Sequence, residues 1–208
     1  MKKLSLISLA VIGLGSIAGA QTIAYNNLDA SGGFTYGTGA TVSGSNSAVG
    51  TAYSSGFDFV SGASGMLTDI KVGYSYVAGV NLENFDLYTD NGGVLGTDLG
   101  TFSASSPNAS GGAIPLTDIS VTNGPMLNAG STYWLVASAG DPTNFSYWNF
   151  NDTGVTGTEY QSANGVGNYF SNQSTGSMEL TVQSVPAPAS IAILALGVIG
   201  LISLRRRS

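Results

Sequence analysis

The sequence predicts an all-β protein whose body is an antiparallel β-sandwich, jelly-roll-like, with Greek-key connections. No segment between residues 21 and 184 has the 3.6-residue apolar spacing of an amphipathic helix. Short runs of alternating apolar and polar residues occur there instead, separated by glycine, asparagine, aspartate and serine. These runs give at least eight candidate strands, with turn signals at a spacing typical of sandwiches. Helices are expected only outside this body, as an N-terminal signal helix and one C-terminal transmembrane helix.

The first half of the body contains two predicted strands and a turn. Residues 31–55 are rich in glycine, serine and threonine, and they form either a long loop or a set of short edge strands. Residues 70–76 and 85–88 alternate between apolar and more polar side chains, which predicts a strand in each. Residues 90–93, Asp-Asn-Gly-Gly, predict a tight turn because these residue types tolerate positive φ.

The second half contains the most apolar strand. Residues 133–137 form a continuous apolar run, as expected for a central strand that is buried on both faces. Ile119 and Val121 mark a strand before it, and residues 145–150 and 178–182 predict two strands after it.

The charges of the body are almost all negative. All twelve carboxylates lie between Asp29 and Glu179, and Lys71 is the only base among them, so the body has a formal charge of −11 (one base minus twelve acids). Such a surface repels nucleic acid, and no basic stripe offsets it. The other five bases are at the two ends of the chain: Lys2, Lys3, Arg205, Arg206 and Arg207.

Cysteine and histidine are both absent from the sequence. Their absence excludes a disulfide framework, a thiol nucleophile, a Ser-His-Asp triad and an HExxH zinc site. We therefore expect a non-enzymatic protein with no cofactor. An extracellular glycoside hydrolase that uses carboxylates alone stays open as an alternative, although twelve acids allow too many pairs for the sequence to select one.

The N-terminus has the pattern of a secretory signal peptide over residues 1–20. Lys2 and Lys3 form the positive n-region, and residues 4–17 form the apolar h-region. The small residues of the predicted cleavage site are Ala18, Gly19 and Ala20. Cleavage by signal peptidase would make Gln21 the first residue of the mature chain, and the extracellular β-sandwich domain would then cover residues 21–184.

The C-terminal segment, residues 185–208, has three parts in a fixed order. A short proline-containing motif comes first: Val185, Pro186, Ala187, Pro188, Ala189 and Ser190. A transmembrane helix is predicted over residues 189–204, and the two prolines before it prevent it from continuing back into the body. The basic tail, residues 205–208, contains Arg205, Arg206 and Arg207, which we expect to stay on the cytoplasmic side.

This three-part segment resembles the PEP-CTERM sorting signal of Gram-negative bacteria, with Ala187 where that signal usually has glutamate. The resemblance implies recognition and removal of the tail by an exosortase, a membrane protease. It also implies a host that makes a biofilm or an exopolysaccharide. We therefore expect an inner-membrane-anchored precursor whose body is then placed at the cell surface or in the extracellular matrix.

The body resembles the choice-of-anchor extracellular domains, which precede several kinds of surface-anchoring signal. The similar segments are residues 86–90, 93–96, 127–136 and the pair Tyr147-Trp148. The resemblance implies a β-sandwich of unknown activity and supplies no catalytic residues.

Two kinds of binding site stay open in the body. Trp134, Tyr147 and Trp148 are candidate glycan contacts if their rings are exposed, which would make the body a carbohydrate-binding module; core packing is the alternative for each ring. Aspartates beside turns, such as the pair Asp86 and Asp90, are candidate Ca²⁺ ligands, although the spacing matches no EF-hand loop. A second such pair is Asp141 and Asp152.

Overall fold

The computed structural model describes residues 19–106 and 116–184. The predicted signal helix up to residue 18, the sorting motif 185–190, the transmembrane helix 189–204 and the basic tail lie outside these residues. Within the described part of the chain, no helix is long and apolar enough to cross a bilayer.

The described residues form fourteen β-strands and contain no helix, which confirms the predicted all-β class. The strands are β1 (Gln21–Asn26), β2 (Gly39–Ser43), β3 (Tyr53–Val60), β4 (Gly65–Val72), β5 (Tyr74–Ala78), β6 (Glu83–Asp90), β7 (Leu95–Ala104), β8 (Thr117–Ser120), β9 (Met126–Leu127), β10 (Thr132–Ala139), β11 (Phe145–Asn149), β12 (Thr156–Ala163), β13 (Val166–Ser174) and β14 (Met178–Gln183).

The strands are arranged in two sheets, and the paired strands in both are antiparallel. The first sheet has the order β1-β14-β4-β8, and β9 also pairs with β4. The second has the order β5-β11-β2-β3-β10-β6-β7, and the β12–β13 hairpin joins it because β12 pairs with β3. The jelly-roll connectivity within this arrangement stays a prediction.

One hydrophobic core lies between the two sheets. Ile70 and Leu180 of the first sheet and Phe57, Leu87 and Leu135 of the second are fully buried in it. They come from alternating positions, since the side chains of a strand point to opposite faces in turn. Burying each large apolar side chain stabilises the fold by about 1.5–3 kcal/mol.

The predicted central strand and the predicted turn are both present. β10 lies between β3 and β6, and residues 133–137 are buried. The turn connects β6 to β7, with φ of 70° at Gly92 and 88° at Gly93. Asp90 accepts the Gly93 N–H over 3.1 Å, as aspartate often does at the start of a turn.

Two predictions about strands require correction. Residues 70–76 do not form one strand, because the chain crosses from the first sheet to the second at Gly73, between β4 and β5. A β-carbon at Gly73 would overlap Ser177 Oγ and lie 2.7 Å from the ring of Phe34, so only glycine fits this crossing. Within residues 31–55, β2 is an interior strand between β11 and β3, not an edge strand.

Candidate functional site

The structure places Trp134 on the face of β10 opposite Tyr133 and covers it. The indole is fully buried, and the ring of Tyr169 from β13 contacts it edge-on with centroids 5.5 Å apart. Its Nε1–H donates to Asp90 Oδ1 over 2.9 Å. Alternation along a strand places neighbouring residues such as Tyr133 and Trp134 on opposite faces, but it does not show that a distant hairpin shields the indole.

Trp148 is also fully buried, on the core side of β11. Phe57 and Phe85 contact its ring edge-on at 5.1 and 5.5 Å, and its Nε1–H donates to the Ser177 carbonyl over 3.0 Å. Both indoles are therefore packing groups whose polar atoms are satisfied, and neither ring is open to a polysaccharide.

Tyr147 points away from Trp148 and borders an open groove of about 400 Å³. We call this the Tyr147 groove. It is lined by six side chains from one loop and from four strands of the second sheet, β2, β3, β11 and β12: Thr41, Val49, Tyr53, Phe145, Tyr147 and Gln161. Of the three candidate glycan contacts, only Tyr147 retains an accessible ring.

Antiparallel pairing fixes the positions of the lining residues. Tyr147 pairs directly with Thr41 of β2, and cross-strand partners share a face of the sheet. Phe145 lies two residues before Tyr147 on β11, and the centroids of the two rings are 5.2 Å apart. Tyr53 enters from β3 and Gln161 from β12, the two strands that run side by side beyond β2.

A tightly hydrogen-bonded loop, residues 44–52, supports Val49 at the rim of the groove. The Gly44 N–H donates to the Asn144 carbonyl over 2.9 Å, and the Asn46 N–H donates to the Pro142 carbonyl over 2.8 Å. At the other end of the loop, Ala52 and Asn164 exchange hydrogen bonds of 2.8 and 3.1 Å. The loop is therefore fixed at both ends against neighbouring segments.

The groove is aromatic and polar but uncharged. None of its six lining side chains is ionic at neutral pH. Among the described residues, none donates to or accepts from the Tyr53 hydroxyl, the Tyr147 hydroxyl or the Gln161 amide, so these groups are available to a ligand.

The sequence identified Tyr147 but missed most of the groove. Phe145 follows from the two-residue repeat of a strand. The contributions of Thr41, Tyr53 and Gln161 require knowledge of which distant strands pair, which local patterns do not contain.

Three of the four aspartates nominated as calcium ligands accept hydrogen bonds from protein donors, namely Asp86, Asp90 and Asp141, whereas Asp152 is exposed. Asp86 accepts hydrogen bonds from the hydroxyls of Thr101, at 2.6 Å, and Ser138, at 3.2 Å. Asp141 accepts both the N–H and the hydroxyl of Thr143, which holds the pKa of that carboxyl below its usual range. In the described part of the chain, no three acidic side chains come together as a metal site.

Among the described residues, Glu83 is the most completely buried acidic side chain. Its carboxyl is fully buried between the sheets, and burial raises its pKa to about 8. Ser146 Oγ lies 3.0 and 2.9 Å from the two carboxyl oxygens, and burial also raises the pKa of the neighbouring Tyr74. Glu83, Tyr74 and Ser146 are all buried, so bulk solvent does not contact any of the three side chains.

A second group of acids lies on the first sheet. Lys71 Nζ is 2.8 Å from Glu179 Oε1 and 4.0 Å from Asp69 Oδ2. Burial, followed by the nearby Asp118, raises the pKa of Asp69 to about 6. These contacts engage the only base of the body in an ion pair.

Of the predicted processing residues, the structure describes Gly19 and Ala20 only. Gly19 is half-buried, Ala20 is exposed, and β1 begins directly after them at Gln21. Ala18, the sorting motif 185–190 and Arg205–Arg207 lie outside the described residues.

Comparison with known proteins supports the assignment of the C-terminal segment. No curated protein matches the chain, so the resemblance of the body to choice-of-anchor domains stays a prediction. Residues 184–207 match the family model of the PEP-CTERM protein-sorting motif. The chain therefore carries a PEP-CTERM sorting motif, which indicates a Gram-negative exported protein that is membrane-anchored before an exosortase processes it.

Proposed function

We propose that the chain is a non-enzymatic protein of the cell surface or extracellular matrix, sorted by an exosortase and associated with the exopolysaccharide of a biofilm. Its working part is the body, residues 21–184, a β-sandwich of jelly-roll type. The sorting motif at residues 184–207 is the observation that carries this proposal.

The charge distribution gives a physical reason for the sorting. Fourteen uncharged residues, 191–204, span about 21 Å as a helix, and residues 187–190 extend the segment toward the thickness of a bilayer. Three arginines after it favour a cytoplasmic C-terminus, so the acidic body lies on the opposite side. Removal of the tail would release the body from the membrane.

The composition of the site supports a binding function over catalysis. The chain has neither histidine nor cysteine, and Glu83 is enclosed in the core. A carboxylate-only hydrolase needs two acids facing each other across the sugar. The six lining residues of the Tyr147 groove include no acid.

Fractionation of host cells tests the proposal. In the wild-type host, we expect the body in the extracellular matrix, and in a host that makes no exopolysaccharide we expect it in the medium. The double variant P186A/P188A should accumulate in the membrane with its tail attached, whereas Ser208→Ala, beyond the arginines, should behave as the wild type.

The same fractionation can contradict the proposal. A body that remains in the cytoplasm of the wild-type host would disprove export. A body that is exported but distributes identically with and without exopolysaccharide would disprove the association with the matrix. Ala187→Glu restores the usual residue of the motif, and we expect it to be processed at least as completely as the wild type.

A further inference from the structure

We propose that the Tyr147 groove binds a short segment of a neutral polysaccharide. The C–H face of one sugar ring packs on Tyr147 and Phe145, and Thr41, Tyr53 and Gln161 hydrogen-bond to its hydroxyls. This inference deepens the proposed function, on which it rests for the presence of polysaccharide around the exported body.

The size and lining of the groove suit a ligand of this class. Its volume of about 400 Å³ falls within the range of about 300–1,000 Å³ that is usual for small-molecule sites. Such sites combine apolar and aromatic walls with a few polar groups that orient the ligand. The groove has three aromatic rings, one valine and two further polar side chains.

The two rings on β11 provide the apolar contact. Phe145 and Tyr147 lie at 67° to each other with centroids 5.2 Å apart, so they form a corner rather than a flat stack. Tyrosine offers a large apolar surface and loses little conformational entropy on binding, because it has two side-chain torsions. A pyranose ring has an apolar C–H face and a polar edge, which matches an aromatic corner with polar groups beside it.

The polar groups of the groove match sugar hydroxyls. A hydroxyl both donates and accepts, and so do the tyrosine and threonine hydroxyls and the glutamine amide. Among the described residues, the Tyr53 and Tyr147 hydroxyls and the Gln161 amide have no protein partner. A ligand can therefore bond to them without displacing an internal hydrogen bond.

The electrostatics favour a neutral sugar over a uronic acid. None of the six lining side chains carries a positive charge to pair with a carboxylate, and the body as a whole has a formal charge of −11. Lys71, its only base, lies on β4 in the other sheet and pairs with Glu179. Burying an unpaired anionic group against aromatic rings is costly, so a polyuronate would bind less well.

The groove is formed before the ligand arrives. Three of its side chains lie on β2 and β11, which pair along five residues, and the loop that carries Val49 is fixed at both ends. A preformed site avoids the entropic cost of ordering the protein on binding.

Binding by the full-length chain in detergent tests this inference. The probes are a soluble neutral β-glucan, a neutral galactomannan and alginate, a polyuronate, and dissociation constants are measured by titration calorimetry. We expect at least one neutral probe to bind more tightly than alginate. Tyr147→Ala should weaken that binding by about tenfold, equivalent to about 1.4 kcal/mol, whereas Tyr147→Phe, which keeps the ring, should weaken it less.

Tyr36→Ala is the matched control, because Tyr36 is 46% exposed and lies outside the groove. It should leave binding unchanged, and Gln161→Ala should weaken it. Near-ultraviolet circular dichroism verifies that each variant is folded. If Tyr147→Ala does not fold, Tyr147→Phe and Gln161→Ala still test the groove.

Three results would overturn the inference: no binding to either neutral probe, equal or tighter binding to alginate, or undiminished binding by Tyr147→Ala and Gln161→Ala. The proposed function fails separately. A body that reaches the matrix without neutral-glycan binding overturns the groove alone. A chain that binds the glucan but is never exported overturns the function alone.

Discussion

The hydroxyl of Ser146 lies within 3.0 Å of both carboxyl oxygens of Glu83, inside a core that excludes solvent from both residues. Ser146 is on β11 and Glu83 begins β6, so the contact joins two strands that are not neighbours in the sheet. A hydroxyl can donate to a charged carboxylate and accept from a protonated one. The contact therefore accommodates the proton that burial favours on Glu83.

Because the folded protein holds this proton on Glu83, we expect the stability of the protein to fall as the pH rises toward 8. The pKa of Glu83 is about 8 in the folded protein and near 4.5 in the unfolded chain. Between these values the folded state binds a proton that the unfolded state releases, so stability is lost by up to about 1.4 kcal/mol per pH unit. Below the lower value both states are protonated, and above about 8 the slope from this group ends.

Glu83→Gln should remove most of this slope, because the amide keeps hydrogen-bonding capacity and does not ionise. The free energy of unfolding by urea, measured between pH values of about 6.5 and 8, separates Glu83 from Asp69, whose pKa is about 6. Ser146→Ala is the companion variant, and it should raise the pKa of Glu83 further by removing a donor to the charged form. Identical pH slopes for Glu83→Gln and the wild type would contradict this explanation.

Gly73→Ala should destabilise the body severely. The new methyl group would overlap Ser177 Oγ and press on Phe34 at the crossing between the sheets. The Gly73 carbonyl also accepts hydrogen bonds from the backbone and the side chain of Asn149, so the backbone has little freedom to move. We expect a loss of about 1–3 kcal/mol, typical of overpacking.

Urea titration measures this loss, and Gly92→Ala is its control, because a β-carbon there meets no neighbouring atom. Gly92 has positive φ, so its replacement should cost only the backbone term, about 1 kcal/mol. Equal stabilities of Gly73→Ala and the wild type would refute the close approach.

Asp90→Ala should destabilise the protein more than Asp90→Asn. The alanine leaves the buried Trp134 indole N–H without its acceptor, at a cost of about 1–3 kcal/mol. The asparagine retains a carbonyl oxygen that can accept from the indole. Urea unfolding followed by tryptophan fluorescence measures both variants, and equal stabilities for the two would show that the hydrogen bond contributes little.

The sequence predicts the class of the fold and the contents of its strands better than their arrangement. Local sequence identified β10 through its continuous apolar run and the turn after β6 through its residue types, because these features depend on neighbouring residues. It missed the crossing at Gly73, since a single glycine within an alternating run also fits a continuous strand. The inward position of Glu83 follows the same two-residue repeat as Phe85 and Leu87. The repeat therefore predicts a buried side chain at position 83, although glutamate is an unusual residue at a buried position.

The sequence predicted less of the candidate site than of the fold. Whether Trp134 and Tyr147 reach solvent depends on which distant segments cover them. Tyr169, from a hairpin far along the chain, covers Trp134, whereas the ring of Tyr147 lines an open groove. Strand pairing decides both outcomes, and no local pattern contains that information.

The mass of the C-terminal peptide of the exported protein tests the central claim most directly, in hosts with and without the exosortase. Export and processing predict that the protein from the first host lacks Arg205–Arg207, and that the protein from the second retains them and stays in the membrane. A protein that is exported with Arg205–Arg207 still attached while the exosortase is present would contradict the sorting mechanism, as would loss of the tail in its absence.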